Sequence, residues 1–316
     1  MGNELSHIEE NFDKPKDFFD CLNRAYNPET LVIHVPDGVR HESPIYIKIQ
    51  SVTSGLVACP RIVVNLGENS EVKIVEHHLS GNAVSLSVPV LDVHVGQNSR
   101  LKHCVIQDLG EETWQVSKQN FELEKNSYVE MFTAAFGCDY ARSEIRCNLK
   151  GRGSEAYSAA AYFGTKEQTL DFRTFQKHEA PDTTSKLLFK GALDEDSRSI
   201  YSGLIKVLPE AIRTKAQQTN RNIKLSENAW AESVPNLEIE TNDVVCNHAS
   251  TVSGIDEEQL FYLESKGVET SVAERLIIAG FFDEVISKVF DSLLVEEATS
   301  ILTKALQNRS ESRDIQ

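Results

Sequence analysis

The chain has 316 residues and six cysteines, none of them in a C-x-x-C pair. That spacing withholds the usual thiolate frame of a structural zinc site. A disulfide scaffold is excluded as well, because that device belongs to short secreted chains that cannot bury a core, and a chain of this length buries one unaided. Long apolar runs are missing too. The nearest to one, LIIAGFF at Leu276 to Phe282, falls far short of the roughly 18 residues a membrane span needs. Basic side chains are outnumbered, 32 Lys and Arg against 48 Asp and Glu, and the net charge of −16 repels phosphate backbones and anionic lipid. Neither nucleic acid nor a membrane is an expected partner.

The nucleotide signatures G-x-x-x-x-G-K-[ST] and G-x-G-x-x-G are absent, as are H-E-x-x-H and G-x-S-x-G, so no nucleotide site is expected in this chain. The N-terminus, MGNELSHIEENFDKPK, shows neither the basic-then-apolar order of a secretion signal nor the acid-poor character of a transit peptide. A reducing, cytoplasmic setting is therefore expected. MGNELS fits the spacing of a myristoylation signal, but a six-residue pattern recurs by chance and no lipid anchor is inferred from it.

What the chain does have is a repeat. VVNLGENSEVKIVEHH from Val63, DVHVGQNSRLKHCVIQ from Asp92, NFELEKNSYVEMFTAA from Asn120 and RCNLKGRGSEAYSAAA from Arg146 align when the chain is slid along itself. Each is an alternating run, a turn centred on Asn-Ser or Gly-Ser, and a second alternating run. Period-2 alternation argues strands, and the near-constant distance between Ser70, Ser99, Ser127 and Ser154 is of the kind that signals stacked units. Looser echoes begin at Lys190 and Asn222. A β-solenoid accounts for the recurring turn; a β-sandwich accounts only for the strands.

After Gly254 the pattern becomes helical. Asp256 with Gln259 forms a capping pair before QLFYLESKG, and Gly267 supplies a stop. Ser271 with Glu274 repeats the device before a run with apolar residues at Leu276, Ile277, Phe281, Val285 and Val289, and LLVEEATSILTKALQNR reads as a third helix. Such helices would cap a bare solenoid end or serve for docking. The expected organisation is a short helical or loop segment at 1–30, a β-solenoid core at 31–254, a small helical domain at 255–308 and a structureless tail at 309–316.

Candidate chemistry centres on DVVCNHAST. In a strand, Cys246 and His248 emerge on one face, a thiol and an imidazole suited to iron, zinc or cuprous copper. Two ligands do not close a site, so either other coils or another chain complete it, or the pair is a buried thiol beside a satisfied histidine. His77 and His78 are adjacent and face opposite ways; with His94, His103 and Cys104 they read as surface or core residues. Asp171, Glu179 and Asp182 are the acids that a carbohydrate-active solenoid enzyme would have to bring together.

One long stretch carries a resemblance. H-x-A-P-x-T-x-S from His178, P-x-L-E-I from Pro235 and C-x-H-x-x-T-x-x-x-x-D-E-x-x-L-F-Y-L-x-S-x-G from Cys246 occur in order, and with them the chain resembles the SufB/SufD family of iron–sulfur cluster assembly scaffolds, most of all its SufD side. The resemblance implies a mainly β fold, a right-handed parallel β-helix followed by helices. It implies a non-catalytic subunit that pairs with a SufB-type scaffold through the β-helices and holds a SufC-type ABC ATPase on its C-terminal helices; Phe281, Phe282 and Val285 read either as the docking residues for it or as ordinary core. By the same resemblance His248, with Cys246 near it, serves a transient iron or iron–sulfur cluster shared with the partner. The cysteine and glutamate that mark SufB are missing, since this chain reads TNRNIKLS and Ala249 there. A SufB-like homodimeric scaffold remains the alternative within the family. Family members commonly carry a longer N-terminal helical region, which puts any function of that region in question.

Overall fold

The computed structural model describes residues 17–51 and 53–313. The alternating runs pair in parallel into two long sheets that wind as a solenoid. One sheet starts at Thr30–Val35 and ends at Trp230–Ile239; the other starts at Ile45–Ser51 and ends at Val244–Ser253. Because pairing is in register, inward side chains stack in columns. One column of the second sheet reads Ile45, Ile74, His103, Met131, Ser158, Leu187, Gln218 and His248.

The repeated turn explains the periodic serines. Asn69, Asn98 and Asn126 adopt left-handed backbone, with φ of 55°, 59° and 55°, which asparagine tolerates better than most residues. Their amides bond from coil to coil, Asn98 donating to Asn69 and Asn126 to Asn98, both at 3.2 Å. In the fourth unit Gly153 takes the left-handed position. The serines that follow are buried in the turn, where Ser70 donates to the Gly67 carbonyl and Ser127 to that of Glu124. Gly96 is required by close approach, since a Cβ there would lie 2.6 Å from the Leu66 carbonyl oxygen of the coil beneath.

Helix α1, Phe18–Tyr26, lies beside the starts of successive strands of the first sheet, Arg61–Leu66 and Val90–Val95. Asn23 on it is fully buried and donates to the carbonyls of Pro60 and Val88. The myristoylation-like motif and the rest of 1–16 lie outside the described residues.

The C-terminal helices are α2, Glu257–Ser265, α3, Thr270–Ile286, and α4, Ser292–Arg313. Asp256 caps α2 as expected, accepting from the backbone N–H of Glu258 and Gln259, and Gly267 follows the helix with φ of 86°. Ser271 does not cap α3. The helix begins after Glu269, and the Ser271 hydroxyl turns back to the Glu269 carboxylate. Helix α4 carries helical structure into the segment expected as a tail, while residues 314–316 lie outside the described residues.

The expectation that these helices cap the far end needs correction. They lie along the flank, where Ile278, Phe282, Val285 and Ile286 of α3 pack with Phe132, Ala134, Phe136 and Ala161 on the outer face of the second sheet. Small residues on that outer face, such as Ala134 and Ala161, leave space for the helix, whose apolar side chains are removed from water there. The last strands, Trp230–Ile239 and Val244–Ser253, therefore stand open at the end of the stack, with Trp230, Val234, Val245 and Val252 exposed.

Candidate metal or cluster half-site at the open end

Strand Val244–Ser253 follows the period-2 rule. Val244, Cys246 and His248 face the solenoid interior; because this is the last strand, the interior is open above them. Cys246 is half-buried and packs with Leu237 and Val244 against a cluster of Ile205, Val207, Ala211 and Ala216. His248, one pair of residues further along, is exposed. Burial pushes the Cys246 thiol above its ordinary range, partly offset by a backbone hydrogen bond from Ala216, so at neutral pH it is a thiol rather than a thiolate. The structure thus places the two predicted residues on one face of the last strand, Cys246 half-buried and His248 exposed. Among the described residues no cluster of three or more His, Cys, Asp or Glu side chains is placed to hold a metal ion.

The other candidates are built into the fold. His78 points inward and His77 outward, as adjacent strand residues must. Inside, His103 Nε2 lies 2.7 Å from one Glu76 oxygen and His78 Nε2 lies 3.1 Å from the other. Burial alone would raise the Glu76 pKa, but those two hydrogen bonds and the imidazole charges bring it down to about 2, so the carboxylate stays ionised inside the solenoid. Cys104 faces the helices, and burial lifts its thiol, like those of Cys138 and Cys147, far above the reactive range. The acids of the enzyme alternative are separately engaged: Asp171 with Arg142 and Arg173, Glu179 with Lys177, and Asp182 with Arg152 and Arg213. They form no acid/base pair.

Motif H-x-A-P-x-T-x-S turns out to be a buried corner. His178 Nδ1 is 2.8 Å from the Thr183 hydroxyl and Nε2 is 2.9 Å from that of Ser185. Thr183 in turn donates to the Ala180 carbonyl and meets Thr214 of the next coil at 2.9 Å. Each motif residue has a partner here, and burial lowers the His178 pKa to about 4, so the ring is neutral.

Of the three residues expected to dock an ATPase, Phe282 and Val285 are buried under α3 against the sheet, where no partner reaches them while the helix is packed. Phe281 is half-buried; the Lys190 ammonium lies over its ring and donates to its carbonyl oxygen at 2.8 Å. Helix α3 is apolar on more than one side, so spacing alone does not say which side packs. The exposed aromatic side chains of the helical unit are instead Phe261 and Tyr262 on α2, with Leu276 and Leu293 exposed beyond them. Read from sequence, LFYL stands only as part of a capped helix and a family motif, and neither says which side faces solvent.

Known proteins share this chain's sequence over most of its length. Residues 49–281 match the family model described as SUF system FeS cluster assembly, SufBD core domain. An iron–sulfur cluster assembly SufBD family protein of Mycobacterium bovis is 32% identical over 295 residues, covering 91% of this chain and 72% of that protein. The iron–sulfur cluster assembly protein SufD of Escherichia coli is 27% identical over 244 residues, covering 77% of this chain and 58% of its own length. The SufD protein of Plasmodium berghei is 27% identical over 267 residues, 81% of this chain and 19% of that one.

Proposed function

The chain belongs to the SufBD family of SUF-system iron–sulfur cluster assembly proteins, and on that premise we propose that it is the SufD-type half of a paired scaffold. One observation carries the reading: a thiol and an imidazole share the inward face of the last strand, at an end where neither sheet has a further strand. Unpaired strand edges flanked by exposed Trp230, Val234, Val245 and Val252 are suited to cover by another solenoid. A SufB-type partner seated there would supply the missing ligands, and a reducing, cytoplasmic setting would keep the Cys246 thiol available.

In this reading iron, or the nascent cluster, is cargo. His248 offers a ring nitrogen without first being uncovered, and the thiol of Cys246 gives up its proton as metal approaches, which makes uptake weaker at low pH. The subunit itself catalyses no step. A SufC-type ATPase docks on the C-terminal helical unit through its exposed side chains, Phe261 and Tyr262 foremost, rather than through the buried Phe282 and Val285.

The test is co-expression with the SufB-type and SufC-type partners. His248→Ala is expected to leave the complex assembled on gel filtration and to lower the cluster absorbance and EPR signal it carries by about tenfold, the scale of losing one metal ligand's support. Unchanged cluster maturation in that variant would overturn the assignment.

A further inference from the structure

Directly beneath His248 in its inward column stands Gln218. Gln218 is 1% exposed, and neither its Nε2 nor its Oε1 has a hydrogen-bond partner among the described residues. A buried primary amide with both ends unused is destabilising and calls for an explanation. The fold nevertheless makes room for it. On the facing sheet a Cβ at Gly203 would lie 2.4 Å from the Gln218 amide nitrogen and 2.6 Å from its Cδ, so the absence of a side chain at Gly203 is what admits this amide. The Tyr201 hydroxyl, also close to Gly203, bonds Thr174 at 2.9 Å but makes no hydrogen bond to Gln218, and the next residue down the column is Leu187, which has nothing polar to offer. Its other neighbour in the column is His248, on the last strand of the sheet.

We propose that Gln218 is a positioning residue of the half-site. When the partner closes the end, the Gln218 carbonyl oxygen accepts the N–H of one His248 ring nitrogen, which fixes the tautomer and turns the lone pair of the other nitrogen toward the cargo. Histidines that bind metals are commonly held this way by an acceptor behind them. The unused amide of the lone chain is then a cost of function, recovered only on assembly. This inference rests on the reading of His248 as a ligand.

The test compares Gln218→Met, close in shape but without the amide, with Gln218→Glu, which keeps an acceptor oxygen in place. In the isolated chain Gln218→Met is expected to raise the thermal midpoint by about 2 °C or more. In the co-expressed complex the same variant lowers cluster maturation roughly tenfold. Gln218→Glu orders the other way, with a lower midpoint and maturation closer to wild type. A merely structural role moves stability and maturation together. Wild-type maturation in Gln218→Met, or a lowered midpoint in that variant, overturns the inference. If His248→Ala lowers maturation while Gln218→Met does not, only the role of Gln218 falls. If His248→Ala is silent as well, the half-site reading falls with it.

Discussion

Burial of His178 makes the stability of this chain depend on pH in a calculable way. The ring is held neutral between Thr183 and Ser185, with its pKa lowered from 6.5 to about 4. The unfolded chain therefore binds a proton that the folded chain refuses, between pH 6.5 and 4, and stability falls as pH falls through that window. With these two values and about 1.36 kcal/mol per unit, the loss between pH 7 and 5 is about 2 kcal/mol and levels off at ~3 kcal/mol below pH 4. Glu76 and Asp182 are depressed carboxylates, each at about 2, whose contribution is present above the ordinary carboxylate range and lost only at lower pH. They leave the window from 5 to 7 to the histidines. His77, lowered chiefly by burial, acts there in the same direction. The assay is urea unfolding at pH 5, 6 and 7 for wild type and His178→Gln, whose amide reaches the same hydroxyls without titrating. The variant is expected to be less stable at pH 7 but to lose about 2 kcal/mol less than wild type on going to pH 5. An identical pH slope in the two proteins would refute the burial argument.

Two further outcomes follow from the turns and the helices. Asn98→Val places a β-branched residue at φ of 59° and removes the Asn69 to Asn126 ladder, so denaturation should show a loss of roughly 1–3 kcal/mol, against a smaller loss for Asn98→Gly; equal losses would mean that the left-handed turn is not what selects asparagine. Phe282→Ala, in the packed flank, should cost about 3–5 kcal/mol, whereas the exposed Phe261→Ala should change stability by less than about 0.5 kcal/mol and still abolish ATPase capture in a pull-down; retained capture would move the docking site elsewhere.

The solenoid was legible before any coordinates because its two causes are local. Period-2 alternation follows from strand geometry, and Asn-Ser recurs because each coil needs a left-handed turn above the one before. The same periodicity put Cys246 and His248 on one face, and adjacency was enough to send His77 and His78 to opposite sides. The Asp256 cap and the Gly267 stop are likewise properties of a few neighbouring residues. Where local rules compete, the reading slipped: Ser271 had the spacing of a cap but Glu269 precedes the helix, and α3 carries apolar residues on more sides than one, so Leu276 came out exposed and Ile278 buried.

What the sequence by itself determined is the kind of structure, the faces of its strands and the family to which its motifs point. Tertiary structure decided where the helices go, and it laid them on the flank, where Ile278, Phe282, Val285 and Ile286 are buried against the apolar outer face of the second sheet. That choice leaves the end above His248 open. Tertiary structure also decided which residues from distant coils meet: Glu76 with His103, His178 with Ser185, and Gln218 with the bare backbone of Gly203. Such contacts depend on register summed over successive coils, and no short window of sequence contains that sum.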